Sequence, residues 1–144
     1  MADTTLLKSK VEDFIREKLR SEYGQPFEKQ FVDLTTGGPH EFDAVSKDGR
    51  IVASIKSASG KTAGGKNPSG KIKDSIAELY FLRLVKADRR ILILTNHDFY
   101  QIFLKNLQGK IPFDLEVVNI PLPQDIEAEV RHVQARASKE VSPR

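Results

Sequence analysis

Two short apolar segments carry the residues whose types could do chemistry. They are His40-Glu41-Phe42-Asp43-Ala44-Val45 and Ile51-Val52-Ala53-Ser54-Ile55-Lys56, joined by the turn Ser46-Lys47-Asp48-Gly49-Arg50. Side chains alternate along a strand. Alternation puts Phe42 and Ala44 on one face with Ile51, Ala53 and Ile55. It puts Glu41, Asp43, Ser54 and Lys56 on the other. Carboxylates beside a lysine at the ends of apolar strands suit hydrolysis assisted by a divalent cation. The acids hold the ion, the ion polarises the substrate and acidifies a water, and the ammonium offsets developing charge. A solvated hairpin face would also be polar, so the surrounding elements carry the distinction.

Those elements read as follows. Leu6, Leu7, Val11, Phe14, Ile15 and Leu19 make an apolar stripe at helical spacing, which predicts a helix from Thr5 to Tyr23, ended by Gly24-Gln25-Pro26. Phe27 to Leu34 reads as a first strand with Phe27, Phe31 and Val32 facing in. The hairpin supplies strands two and three. Ser57 to Gly70 is rich in Gly, Ser and Lys and reads as a loop. Ile72 to Val85 is apolar almost all round, which predicts a largely buried helix. Arg90 to Thr95 reads as an interior strand, His97 to Leu107 as a helix capped by Asn96, and Leu115 to Ile120 as a last strand. Asp125 to Ala137 reads as a terminal helix. An antiparallel hairpin followed by crossover units predicts an α/β fold, a mixed central sheet flanked by helices on both faces.

Composition sets the bounds. At 144 residues the chain suits one domain, expected over residues 1–138 with a flexible tail at 139–144. Hydrophobic residues are 39% and charged residues 30%, as in ordinary globular proteins. Cysteine is absent, which excludes disulfides, thiolate zinc sites and cysteine nucleophiles. The longest apolar runs are too short to span a bilayer, and Met1 to Thr5 lacks the pattern of a signal peptide. A cytoplasmic protein with no membrane partner is therefore expected. Net charge is +3, but Lys56, Lys61, Lys66, Lys71 and Lys73 follow one another with no acid between Lys56 and Lys73. Such a stretch beside a metal site suits a polyanionic substrate.

The element order and the hairpin residues together resemble the PD-(D/E)XK nuclease superfamily, the restriction-endonuclease-like fold. Its core runs helix, three strands, helix, strand, and the likeness covers Thr5 to Thr95. Glu41-Phe42-Asp43 stands at the first half of the motif and Ser54-Ile55-Lys56 at the second. Phe42 replaces the motif proline and Ser54 replaces its second acid. The resemblance implies a Mg²⁺- or Mn²⁺-dependent nuclease acting on DNA, as a homodimer or with a larger partner. It implies Asp43 as central metal ligand, the Ile55 carbonyl as another, and Lys56 beside the attacking water. Ser54 implies that the second acid has migrated. Glu78 on the following helix is the favoured donor, a turn beyond Asp74, with a salt bridge to Lys56 or Arg83 as its structural alternative. Glu41 comes second, and Glu12 or Glu17 of the first helix third. Loss of catalysis, leaving a nucleic-acid-binding module, is the alternative. In either case Lys61, Lys66, Lys71 and Lys73 are expected to contact the backbone of the nucleic acid.

Gly65-Lys66-Asn67-Pro68-Ser69-Gly70-Lys71 matches the first part of a phosphate-binding loop, but Ile72 stands where Ser or Thr should hold Mg²⁺. His40, His97 and His132 lack metal-ligand spacing. His40 adjoins Glu41 and is placed to approach the metal site. His97 is expected at a helix start.

Overall fold

Leu7, Val11, Ile15 and Leu19 recur every fourth residue, and all four are buried. This is the inner stripe of the first helix. The structure, a computed structural model, describes residues 2–60 and 68–141, with side chains for 5–60 and 68–136. Its elements are α1 (Ala2–Tyr23), β1 (Phe27–Asp33), β2 (Pro39–Ser46), β3 (Ile51–Lys56), α2 (Ser69–Leu84), β4 (Arg89–Leu94), α3 (His97–Asn106), β5 (Glu116–Asn119) and α4 (Gln124–Val141). α4 continues past the expected end at Ala137, so residues 139–141 are helical.

The strands lie in chain order, β1-β2-β3-β4-β5, in one mixed sheet. β1 and β3 flank β2 antiparallel, whereas β3, β4 and β5 are parallel. Parallel neighbours need crossovers, and α2 and α3 provide them. Both pack on one face of the sheet, where Leu79, Leu82, Phe99 and Phe103 meet Leu92 and Leu94. α1 and α4 cover the other face, where Val11, Ile15 and Val130 meet Ile55, Ile91 and Ile93. β4 is thus apolar on both sides, which explains its unbroken run Ile91-Leu92-Ile93-Leu94. Among the described residues no helix is long and apolar enough to cross a membrane.

Three expectations need correction. Phe42 and Ala44 do not share a face. Glu28 and Gln30 of β1 pair with Val45 and Phe42 of β2, so two steps along one strand oppose three along the other. That extra residue is a β-bulge around Asp43 and Ala44, and it reverses the alternation. Phe42 and Val45 join the α2–α3 layer while Ala44 joins the α1–α4 layer. The hairpin therefore has two apolar faces, with Asp43, Ser54 and Lys56 toward its open end. Phe31 is 66% exposed, because β1 is an edge strand and only Phe27 in it is fully buried. α2 buries one side only, leaving Ile76 and Tyr80 at the surface.

Candidate active site

The ladder between β2 and β3 is short. Ala44 pairs with Ala53 and Val45 with Val52, and the pairing stops there. Beyond it the strands part, and the Asp43 side chain takes over a bond the backbone would have made. Asp43 Oδ2 accepts from the Ile55 N–H at 2.7 Å. The Asp43 carbonyl accepts from Arg16 Nη1 of α1, also at 2.7 Å. Arg16 is itself held by Glu12 and Asp13. The bulge is thereby strapped to α1, and the Asp43 carboxylate is fixed against the main chain of the Ser54-Ile55-Lys56 segment.

Asp43 opens onto a cleft of 390 Å³ between α1, α4 and the start of α2. Ile55, Lys56, Glu12, Lys71 and Asp74 line the same cleft. Glu12 is only 5% exposed, and its Oε1 lies 3.4 Å from Arg16 Nη1 and 3.3 Å from Lys29 Nζ. Burial is the largest influence on Asp43 and pushes its carboxyl above the ordinary range. The Ile55 N–H pulls the other way. The charges of Glu12 and Glu78 raise it further and that of Lys29 lowers it. A carboxylate held charged among other carboxylates is stabilised by a cation.

Ser54 and Glu78 form a second group on the α2 side. Ser54 is fully buried and its hydroxyl donates to Glu78 Oε1 at 2.8 Å. His40 Nε2 lies 3.0 Å from the same oxygen. The His40 ring is stacked on Phe81 at 4.0 Å and edge-on to Phe42 at 4.8 Å. Glu78 thus meets Ser54 and His40, in place of the Lys56 or Arg83 partners weighed for it. Ser54 is thus bonded to the helix acid expected to act in its place.

Comparison with family models, with curated proteins and with solved structures returns no match. The site is read from its own geometry.

The structure brings Asp43, Ile55 and Lys56 to one cleft, whereas Ser54 and Glu78 bond each other and do not line it. Glu41 stays apart. It is exposed, sits opposite Phe31 in the β1–β2 ladder and does not line the cleft. Of the two first-helix acids considered as metal ligands, Glu12 reaches the cleft, whereas Glu17 pairs with Arg20 at the surface. Lys71 lines the cleft and Lys73 is exposed on α2. Lys61 and Lys66 lie outside the described residues, as do positions 65–67 of the phosphate-loop pattern. Among the described residues, no three His, Cys, Asp or Glu side chains converge as a ready-made metal cage. Mg²⁺ does not require one, since it commonly takes one or two carboxylates and fills the rest with water and phosphate. The Asp43 carboxylate is a hard oxygen donor of that kind, and it already accepts from the Ile55 N–H.

Sequence reasoning missed two contributors. Arg16 left a signal, four residues after Glu12 on the same helix. Gln134 left none. It reaches from α4, distant in the chain, and donates to the Ser57 carbonyl at 3.0 Å. At the far helix start, Asn96 caps α3 as expected by accepting from the Phe99 N–H at 2.9 Å. His97 opens α3 as expected, and its ring nitrogen lies 3.4 Å from Asn119 Oδ1.

Proposed function

We propose that this protein is a divalent-metal-dependent nuclease acting on DNA, of the restriction-endonuclease-like kind. The observation that carries the proposal is the meeting of Asp43 with the main chain of Ile55 and with Lys56, at the point where two strands diverge. Asp43 and the Ile55 carbonyl would hold the metal, with Glu78 and Glu12 as the nearby acids that complete its surroundings. A bound Mg²⁺ or Mn²⁺ would supply Lewis-acid polarisation of a nonbridging phosphate oxygen and a more acidic water. The Lys56 ammonium would orient that water and offset charge on the phosphorus. Ser54 would position Glu78, and Lys71 would hold a neighbouring phosphate. Chemistry of this kind depends on placing a few charged groups in a shielded cleft, and Asp43 already bears the desolvation that such shielding brings.

The second reading is a binding module that keeps the fold without the reaction. Ser54 in place of a motif acid favours it. Cleavage assays on single- and double-stranded DNA and RNA with Mg²⁺ or Mn²⁺ separate the two. Metal-dependent cleavage that is lost in both Asp43→Ala and Lys56→Ala is the expected result. Salt-sensitive binding without cleavage, unchanged by Asp43→Ala, would replace the nuclease with the binding module.

A further inference from the structure

β3, β4 and β5 are parallel, so their carboxyl ends open on one edge of the sheet. The chain leaves β4 for α3 on one face and leaves β5 for α4 on the other. Adjacent parallel strands whose connections part in this way leave a crevice between their carboxyl ends, where open α/β sheets receive ligands. Here the crevice is a cavity of 200 Å³ whose lining includes Thr95 and Asn96 after β4, Pro121 after β5, and Glu127 and Arg131 of α4. It shares no lining residue with the cleft at Asp43.

Two polar atoms of this lining are unmatched. Thr95 is only 2% exposed, yet its Oγ1 has no hydrogen-bond partner among the described residues. Glu127 accepts from Asn96 Nδ2 at 2.9 Å and from Arg131 Nε at 3.0 Å, both on Oε2. Its other oxygen, Oε1, is buried without a partner among the described residues. Buried polar atoms are costly to leave unpaired. Arg131 already balances the charge of Glu127, so Oε1 lacks a donor and not a counter-ion. The Thr95 hydroxyl can both donate and accept.

We infer that the crevice is a second binding site, for a neutral ligand carrying adjacent hydroxyl groups on a small ring. One hydroxyl donates to Glu127 Oε1, and its neighbour exchanges a hydrogen bond with Thr95 Oγ1. An anion would meet Asp98 and Glu127 in the same lining. The volume lies below the roughly 300–1,000 Å³ of sites for larger ligands, which limits the enclosed part to one ring. A pentose has this chemistry, free or within a nucleoside. The site stands independently of the nuclease reading.

The test titrates ribose, adenosine and 2′-deoxyadenosine, each to millimolar concentration, into the whole chain and follows its backbone amides by NMR. Adenosine should shift the amides of Thr95, Asn96, Leu122 and Glu127, and 2′-deoxyadenosine should bind about tenfold more weakly, the scale of one hydrogen bond to a charged group. Ribose binding as well as adenosine would uphold a pentose site, and adenosine alone would uphold a nucleoside site. Thr95→Val should weaken adenosine about tenfold without lowering Tm, because its hydroxyl has no protein partner to lose. Glu127→Gln measures the same loss at the other atom. Equal affinity for adenosine and 2′-deoxyadenosine, or affinity untouched by both substitutions, would overturn the inference. So would the absence of shifts at these amides with all three probes, which would leave Thr95 and Glu127 to buried water.

Discussion

An acid at position 54 should damage the protein. The Ser54 hydroxyl lies 2.8 Å from Glu78 Oε1, and both side chains are shielded, Glu78 retaining 15% exposure. Ser54→Asp would set a second carboxylate within about 4 Å of the first. Two unit charges at that distance repel by about 4 kcal/mol at an effective dielectric of about 20. The added volume costs a further 1–3 kcal/mol or so, independent of pH. At roughly 4 °C per kcal/mol for a domain of this size, the electrostatic part alone lowers Tm by about 15 °C near neutral pH. The repulsion exists only while both groups are charged, so it fades as the pH is lowered and the pair binds a proton, leaving the volume cost at pH 4. Thermal unfolding followed by circular dichroism at both pH values measures the difference. The paired change Ser54→Asp with Glu78→Ser restores a single carboxylate and should remove the pH-dependent penalty. If the nuclease reading holds, it also retains metal-dependent cleavage. An equal Tm loss at both pH values would refute the electrostatic reasoning, and no loss at neutral pH would show that Glu78 is not held beside residue 54.

Asp43→Asn should raise Tm near neutral pH and, on the nuclease reading, abolish cleavage. The folded Asp43 carboxyl titrates above its ordinary value of 3.8, so its contribution to stability is complete below that value and is lost as pH rises through the folded one. The amide imitates the protonated form, so its advantage should fade as pH falls below 3.8; a gain constant with pH would contradict this. Gly60→Ala should cost about 1–3 kcal/mol, because its Cβ would fall 2.5 Å from Asp98 Cβ and 3.0 Å from the Asp98 carbonyl carbon. Denaturant unfolding tests it, and an unchanged midpoint would mean the segment after β3 shifts freely. Lys71→Ala should reduce the slope of log affinity against log salt for single-stranded DNA by about 0.7, the value of one phosphate contact. An unchanged slope would remove Lys71 from the interface.

Much of the fold was legible because its signals are local. The four-residue step from Leu7 to Leu19, the Asp48-Gly49 turn, the Asn96 cap and the short strand Ile91–Leu94 each depend on neighbours in the chain. The exposure of Phe31 was not legible, because it follows from β1 lying at an edge. Neither was the bulge in β2. Nothing in Glu41-Phe42-Asp43-Ala44-Val45 marks an extra residue. It exists only as a mismatch of count against β1. The partners of Glu78 belong to the same class, since His40 and Ser54 come from two different strands.

That illegible bulge is what makes the legible residues into a site. Strict alternation would have sent Phe42 and Ala44 into one layer and continued the ladder toward Asp43 and Ser54. Instead the pairing ends at Ala44 and Ala53, and Asp43 bonds sideways to Ile55. Its carboxylate and the acids behind it then lie on either side of a gap between strands. Glu12 approaches from the α1 side and Glu78 from the α2 side, and Asp43 feels both charges. An acid directly at position 54 would crowd an arrangement that already has Glu78 there. Serine suits that position: it is small, fully buried, and spends its only proton on Glu78. The serine at position 54 and the placement of Glu78 are thus one feature, seen from β3 and from α2.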